Sequence, residues 1–198
     1  HDRDGMVLSA LRLLMEGVYP KPHDIQQTNF TFNWKNTISV SREWQRQMNW
    51  VASFPPIIND EYYTTGDFHE PVHPWIKAVF GEGRRTIKTW ISVLLTQINL
   101  LDYGGYGLII LGHSALGMNV QDGTYQKARE HLFSRCDVQL VVELDPMEAQ
   151  PFYKSGHNLA ALIYQKNDDG TQNGVTFIDQ KGQQMYRTPA ELQDGYHL

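Results

Sequence analysis

Apolar residues recur most regularly at Ile87, Trp90, Ile91, Leu94, Leu95 and Ile98. This spacing of threes and fours puts all six on one helical face and predicts a core helix. A shorter stripe, Leu8, Leu11 and Met15, predicts a helix from Met6 to Glu16, with Gly17 placed to stop it. The run "TNFTFNW", a "KN" link and "NTISVS" alternate apolar and polar residues and predict a β-hairpin. Ser41 is placed to cap a helix carrying Trp44, Met48 and Val51. Pro74 opens a further short helix, and a helix with Tyr125, Ala128 and Leu132 starts between Asp122 and Thr124. "DYGGYG" reads as the stop of the core helix, and "VQLVVEL" suits a strand or a buried helix. "NLAALIYQK", the turn "NDDGTQN" and "GVTFIDQ" read together as a second hairpin. The pattern therefore predicts a mainly α fold with one early and one late hairpin.

Composition narrows the class. At 198 residues with 41% hydrophobic content, the chain is long and apolar enough for a folded core. A formal net charge of -5 speaks against a non-specific nucleic-acid or membrane-surface binder, so neither nucleic acid nor membrane is expected as a partner. The longest apolar run, "GLIILG", is too short to cross a bilayer. The single cysteine, Cys136, excludes an internal disulfide and fits a reducing compartment. The chain begins at His1, which reads as a fragment or a processed product.

Chemistry concentrates in "AVFGEGRRTIKTW", Ala78 to Trp90. Glycine amides at a helix N-terminus form a nest for anions, and Gly81 and Gly83 permit close backbone approach. Arg84 and Arg85 suit phosphate oxygens, while Glu82 offers an oxygen ligand of the kind Mg²⁺ takes. The alternative is a solvated turn with a charge pair. Elsewhere, "LIILGHSALG" approximates a nucleophile elbow around Ser114, but Leu116 stands where glycine is needed. His113 and His131 belong to no zinc-like spacing, so no structural metal is expected.

The loop resembles the signature of the Fic (Fido-fold) family, a His-Pro-Phe-x-Asp/Glu-Gly-Asn-Gly-Arg motif running into a long helix. Phe80, Glu82 and Gly83 match it, and Arg85 takes the place of its arginine once one residue is deleted. "EGVYPKP", "TNFTFNWKNTISVS", "REWQRQMNWVASF" and "GTYQKAREHLFSRCDVQLVVEL" are similar, in order, to the family's flanking elements. The resemblance covers about residues 8–145. It implies a Fic-like helical core with a β-hairpin flap over 1–145, and a C-terminal extension with a β-hairpin over 146–198.

What the resemblance implies is nucleotidyl transfer: AMP moved from ATP to a hydroxyl side chain of a protein target, with Mg²⁺ as cofactor. Glu82 would hold the metal, and Gly81, Gly83, Arg84 and Arg85 the nucleotide. Ala78 falls where the family has its catalytic His and takes no proton, so an inactivated member, a pseudoenzyme, fits as well. Such a protein would act in the cytoplasm, or in a host cytosol as a secreted effector. Two other readings stand beside it. One is a papain-like cysteine hydrolase or deamidase using His157 and Asp179. The other is a non-catalytic interaction module that presents the Asn29–Val40 hairpin to a partner strand.

Overall fold

The computed structural model describes residues 46–53, 55, 62–64, 74–81, 86–112, 123–145, 158–189 and 191. Its centre is a mixed sheet of six strands. These are β1 (Met48–Ser53), β4 (Leu101–Gly112), β5 (Cys136–Leu144), β6 (Leu159–Lys166), β7 (Val175–Ile178) and β8 (Gln184–Arg187). They lie in the order β1-β4-β6-β5-β7-β8. β1 and β4 run parallel, as do β5 and β7, while β6 is antiparallel to both of its neighbours. Two short strands, β2 (Tyr62–Thr64) and β3 (Thr86–Lys88), pair antiparallel apart from this sheet.

Three helices complete the described architecture: α1 (Pro74–Phe80), α2 (Thr89–Leu100) and α3 (Gly123–Arg135). Five of the six periodic residues fall on α2, while Ile87 falls on β3 instead. Ile91, Leu94, Leu95 and Ile98 are all buried, and Trp90 is half-buried against Tyr125 of α3. Val93, Leu94 and Ile98 of α2 and Leu132 of α3 pack on Ile109, Leu111, Leu162, Tyr164, Val138 and Val141. Alternation along the strands puts those positions on one face of the sheet, so both helices cover the same face.

The mainly α expectation is overturned. Met48 and Val51 fit a helical spacing with Trp44, yet Met48–Ser53 is a strand, because its carbonyls and amides are taken by parallel pairing with β4. That also removes "REWQRQMNWVASF" as a helix following a flap. "DYGGYG" does end α2, but the chain then continues as twelve residues of strand rather than a loop. "VQLVVEL" resolves as β5. The late hairpin is rearranged: β6 and β7 exist, but β5 lies between them, and the hairpin partner of β7 is the unforeseen β8. The sheet thus interleaves strands from both sides of residue 145. The helix expected over 6–16 and the hairpin over 29–40 lie outside the described residues.

At one end of the sheet the chain is pinned by charge. Lys166, at the end of β6, donates from Nζ to the carbonyls of Ile98 (2.7 Å) and Leu101 (2.9 Å), which occupies acceptors left open at the C-terminus of α2. Asp168 joins Arg135 (3.0 Å) to Arg46 (3.4 Å), while the amides of Arg46 and Gln47 bond to the carbonyls of Asn99 and Leu100. This is the amino end of the parallel strands.

Candidate functional site at the carboxyl ends of the parallel strands

In open α/β sheets ligands settle beyond the carboxyl ends of parallel strands, where loops diverge and peptide groups are left unpaired. Here that end is formed by Ser53 and Pro55 after β1, with Ile109 to Gly112 of β4 alongside; Ser53 pairs with Ile109 in the parallel register. Ser53 is 3% exposed and Pro55 is buried. The sequence there reads Ser53-Phe54-Pro55-Pro56. Pro55 lacks an N–H donor and keeps its carbonyl, so the described end of this strand is short of donors. That chemistry suits a ligand carrying N–H groups and is the opposite of a phosphate nest.

A buried polar network sits behind it. Gln97 of α2, 1% exposed, donates from Nε2 to the carbonyl of Leu108 on β4 (2.9 Å) and of Val51 on β1 (3.3 Å). Its Oε1 accepts the hydroxyl of Tyr164 on β6 at 2.7 Å. Burial holds the Tyr164 phenol well above its ordinary range, so it stays a neutral donor.

The predicted clamp is only partly within the described residues. Ala78 is exposed on α1. Gly81 has φ +81° and its amide bonds to the Lys77 carbonyl at 2.8 Å, which makes it the glycine stop of α1. Glu82, Gly83, Arg84 and Arg85 lie outside the described residues. Strand β3 stands between that loop and α2, whose first turn begins after Lys88, so the loop does not open directly into the helix as expected.

The hydrolase partners fare no better. His157 and Ser114 lie outside the described residues. Asp179 spends one carboxylate oxygen on the amides of Lys181 and Gln183, both at 2.8 Å, as the organiser of the β7–β8 turn. Cys136 is buried, and burial pushes its thiol up, away from the reactive thiolate. Among the described residues no His, Cys, Asp and Glu cluster could hold a metal ion, and no helix is long and apolar enough to cross a membrane.

A mixed sheet with helices packed on it makes the chain an α/β protein. The family model described as N-6 DNA Methylase matches residues 20–194, and the chain belongs to that family. Among solved structures it is similar to the M protein of the type I restriction enzyme EcoKI (TM-score 0.53, 16% identity, 79% of this chain and 31% of that one). It is also similar to a type I restriction-modification methyltransferase subunit from Streptococcus thermophilus (0.50, 18%, 87% and 32%). A third likeness is to the type IIG restriction endonuclease BpuSI (0.53, 12%, 81% and 22%). At these identities the likeness is one of fold, and the chain spans less than a third of the length of each. No curated protein matches the sequence.

Family membership overturns the Fic resemblance, and with it the nucleotidyltransferase activity, AMP transfer, and ATP and Mg²⁺ as cofactors. The papain-like and pure interaction readings fall too. The expected partners, a protein hydroxyl and no nucleic acid, do not fit a family of DNA methylases. Net charge misled because it reports long-range steering over a whole surface; a site that takes up one base needs no overall positive charge. The Phe-acid-Gly match was short, and two of its flanking matches rested on helices where β1 and β5 now stand. The missed signal was Pro55-Pro56 closing a short apolar run, which is legible as a strand end only once β1 is known to be a strand.

Proposed function

We propose that this chain supplies the target-base side of a DNA adenine-N6 methyltransferase, with the carboxyl end of β1 receiving the exocyclic amine. Support comes chiefly from Ser53 and the donor-less Pro55 at the end of β1, beside parallel β4, in a chain that belongs to the N-6 DNA methylase family. Enzymes acting on a base inside duplex DNA turn it out of the stack and read its Watson–Crick edge. The adenine amino group offers two N–H donors, and its lone pair is delocalised into the ring. Carbonyl acceptors on those hydrogens hold the amine in place and favour the geometry in which the lone pair is free to attack.

Methylation needs a donor, and S-adenosylmethionine is the one this reading implies. At the described ends of β1 and β4, Ser53, Pro55, Leu111 and Gly112 offer no carboxylate for ribose hydroxyls. The role assigned to these residues is therefore confined to orienting the base.

The test is transfer of labelled methyl from S-adenosylmethionine to duplex DNA by the full-length protein, with digestion to nucleosides. N6-methyladenine is expected. Pro55→Ala, which returns an N–H donor to the strand end, should lower kcat/KM by about tenfold, the scale of one misplaced contact. Label on cytosine alone, or none, would sink the reading.

A further inference from the structure

We infer that Gln97 and Tyr164 are positioning residues for the carboxyl end of β1; this rests on the proposed function and deepens it. Three facts carry the inference. The Gln97 side chain joins the backbones of both parallel strands, through the carbonyls of Val51 and Leu108. Val51 lies two residues before Ser53, so the bond holds β1 immediately upstream of its donor-poor end. Tyr164 reaches Gln97 across β4 at a place kept open for it, because Gly107, its partner in the β4–β6 register, has no side chain.

The geometry also fixes how the amide is turned. Two carbonyls at one end of Gln97 require Nε2 there, so Oε1 faces the phenol and Tyr164 must donate. The orientation of the clasp is thus set from β6, a strand that does not touch β1. An apolar residue at 97 would fill the same space in a core of Leu94, Ile98 and Ile109. What it would lack is a directional tie between β1 and β4. Packing alone tolerates small slips, whereas hydrogen bonds to two backbones do not.

The experiment compares wild type, Tyr164→Phe and the double variant Tyr164→Phe/Gln97→Met in the full-length protein. It reads thermal midpoint, hydrogen exchange of peptides covering 51–53 and 107–112, and steady-state methylation of adenine in duplex DNA. Tyr164→Phe leaves Oε1 buried and unpaired. It should raise exchange in both peptides several-fold and lower kcat by about tenfold, with KM for DNA little changed. The double variant removes the stranded Oε1 together with the phenol hydroxyl but still leaves the Val51 and Leu108 carbonyls without the Nε2 donor, so it should regain only part of the lost midpoint. It should regain neither the protection nor the rate. The inference is overturned if exchange over 51–53 is unchanged in Tyr164→Phe, or if rate recovers along with midpoint in the double variant. Absence of adenine methylation by wild type would remove the function reading, and exchange would then decide the clasp by itself.

Discussion

Gly107 and Tyr164 face one another across β4 and β6, and the first exists to admit the second. A Cβ built on Gly107 would stand 2.3 Å from Cζ of the Tyr164 ring, far inside contact distance. The phenol is fully enclosed, and its hydroxyl is committed to Gln97 at 2.7 Å, so it has no free rotamer to which it can withdraw. Gly107→Ala should therefore destabilise the chain by about 1–3 kcal/mol or more, the range for overpacking a filled core. Urea unfolding of the two proteins checks this. A difference below about 0.5 kcal/mol, the scale of an ordinary surface change, would mean that the ring moves aside freely.

Lys166 presents a different kind of dependence. Its ammonium is buried, which lowers its affinity for a proton, yet it serves two carbonyls at the end of α2. Lys166→Met keeps the aliphatic stem and deletes the donors, leaving both acceptors facing apolar surroundings. A loss of about 2–4 kcal/mol is expected, the sum of two buried groups each losing a partner. Fraying should start at the C-terminal turn of α2, which hydrogen exchange over 97–101 would register. Uniform exchange along α2, despite lower stability, would contradict the capping role.

These two positions also explain which parts of the fold the sequence made legible. The apolar stripe of α2 and the buried face of α3 keep helical spacing, so Leu94, Ile98 and Leu132 reveal themselves by spacing alone, although α2 is buried all round from Ile91 to Ile98. β4 does not, because Gly104, Gly105 and Gly107 look like punctuation. In the folded chain they serve tertiary contacts. Between Met48↔Leu101 and Trp50↔Tyr106, β4 runs five residues (101 to 106) against two of β1 (48 to 50). A Cβ at Gly105 would lie 2.9 Å from the Met48 carbonyl inside that bulge. β1 was hidden for another reason. A tryptophan in an apolar segment looks like a core or interface anchor, but Trp50 is 66% exposed and stacks on Tyr106, with ring centroids 5.1 Å apart. Nothing within six residues distinguishes that strand from one turn and a half of helix. The site was obscured by contrast: Glu82, Arg84 and Arg85 are conspicuous in sequence, whereas Pro55 and Gln97 acquire meaning only from the strands they meet.

Cys136 offers a direct check on the core. It is fully buried at the start of β5, and burial pushes the thiol up, so almost no thiolate exists near neutral pH. A thiol reagent such as Ellman's should therefore fail to label the native protein on a timescale of minutes and label one group per chain in denaturant. Rapid labelling without denaturant would show that β5 and α3 part readily, and would contradict the packing of Leu132 and Val138.

His131 should make the protein sensitive to mild acid. Its imidazole is held down to about 4, first by burial and then by the nearby positive charges of Arg135 and Lys166, against an opposing pull from Asp168. The folded state thus binds this proton less readily than the unfolded chain, whose histidine titrates near its ordinary value of about 6.5. Between those two values the unfolded state carries more protons, so stability rises with pH across the window and falls as pH drops through it. The loss is complete only near the lower value and amounts to at most roughly 3 kcal/mol, reduced by the part of the ring that remains in water. Among the described residues the one negative charge acting on the imidazolium is Asp168, which is already shared by the guanidinium groups of Arg46 and Arg135. Urea midpoints from pH 7 to pH 4 should slope downward for wild type and more shallowly for His131→Gln, which has a polar side chain of similar size and no titration. Parallel slopes for the two proteins would place the acid sensitivity elsewhere and remove His131 from the account.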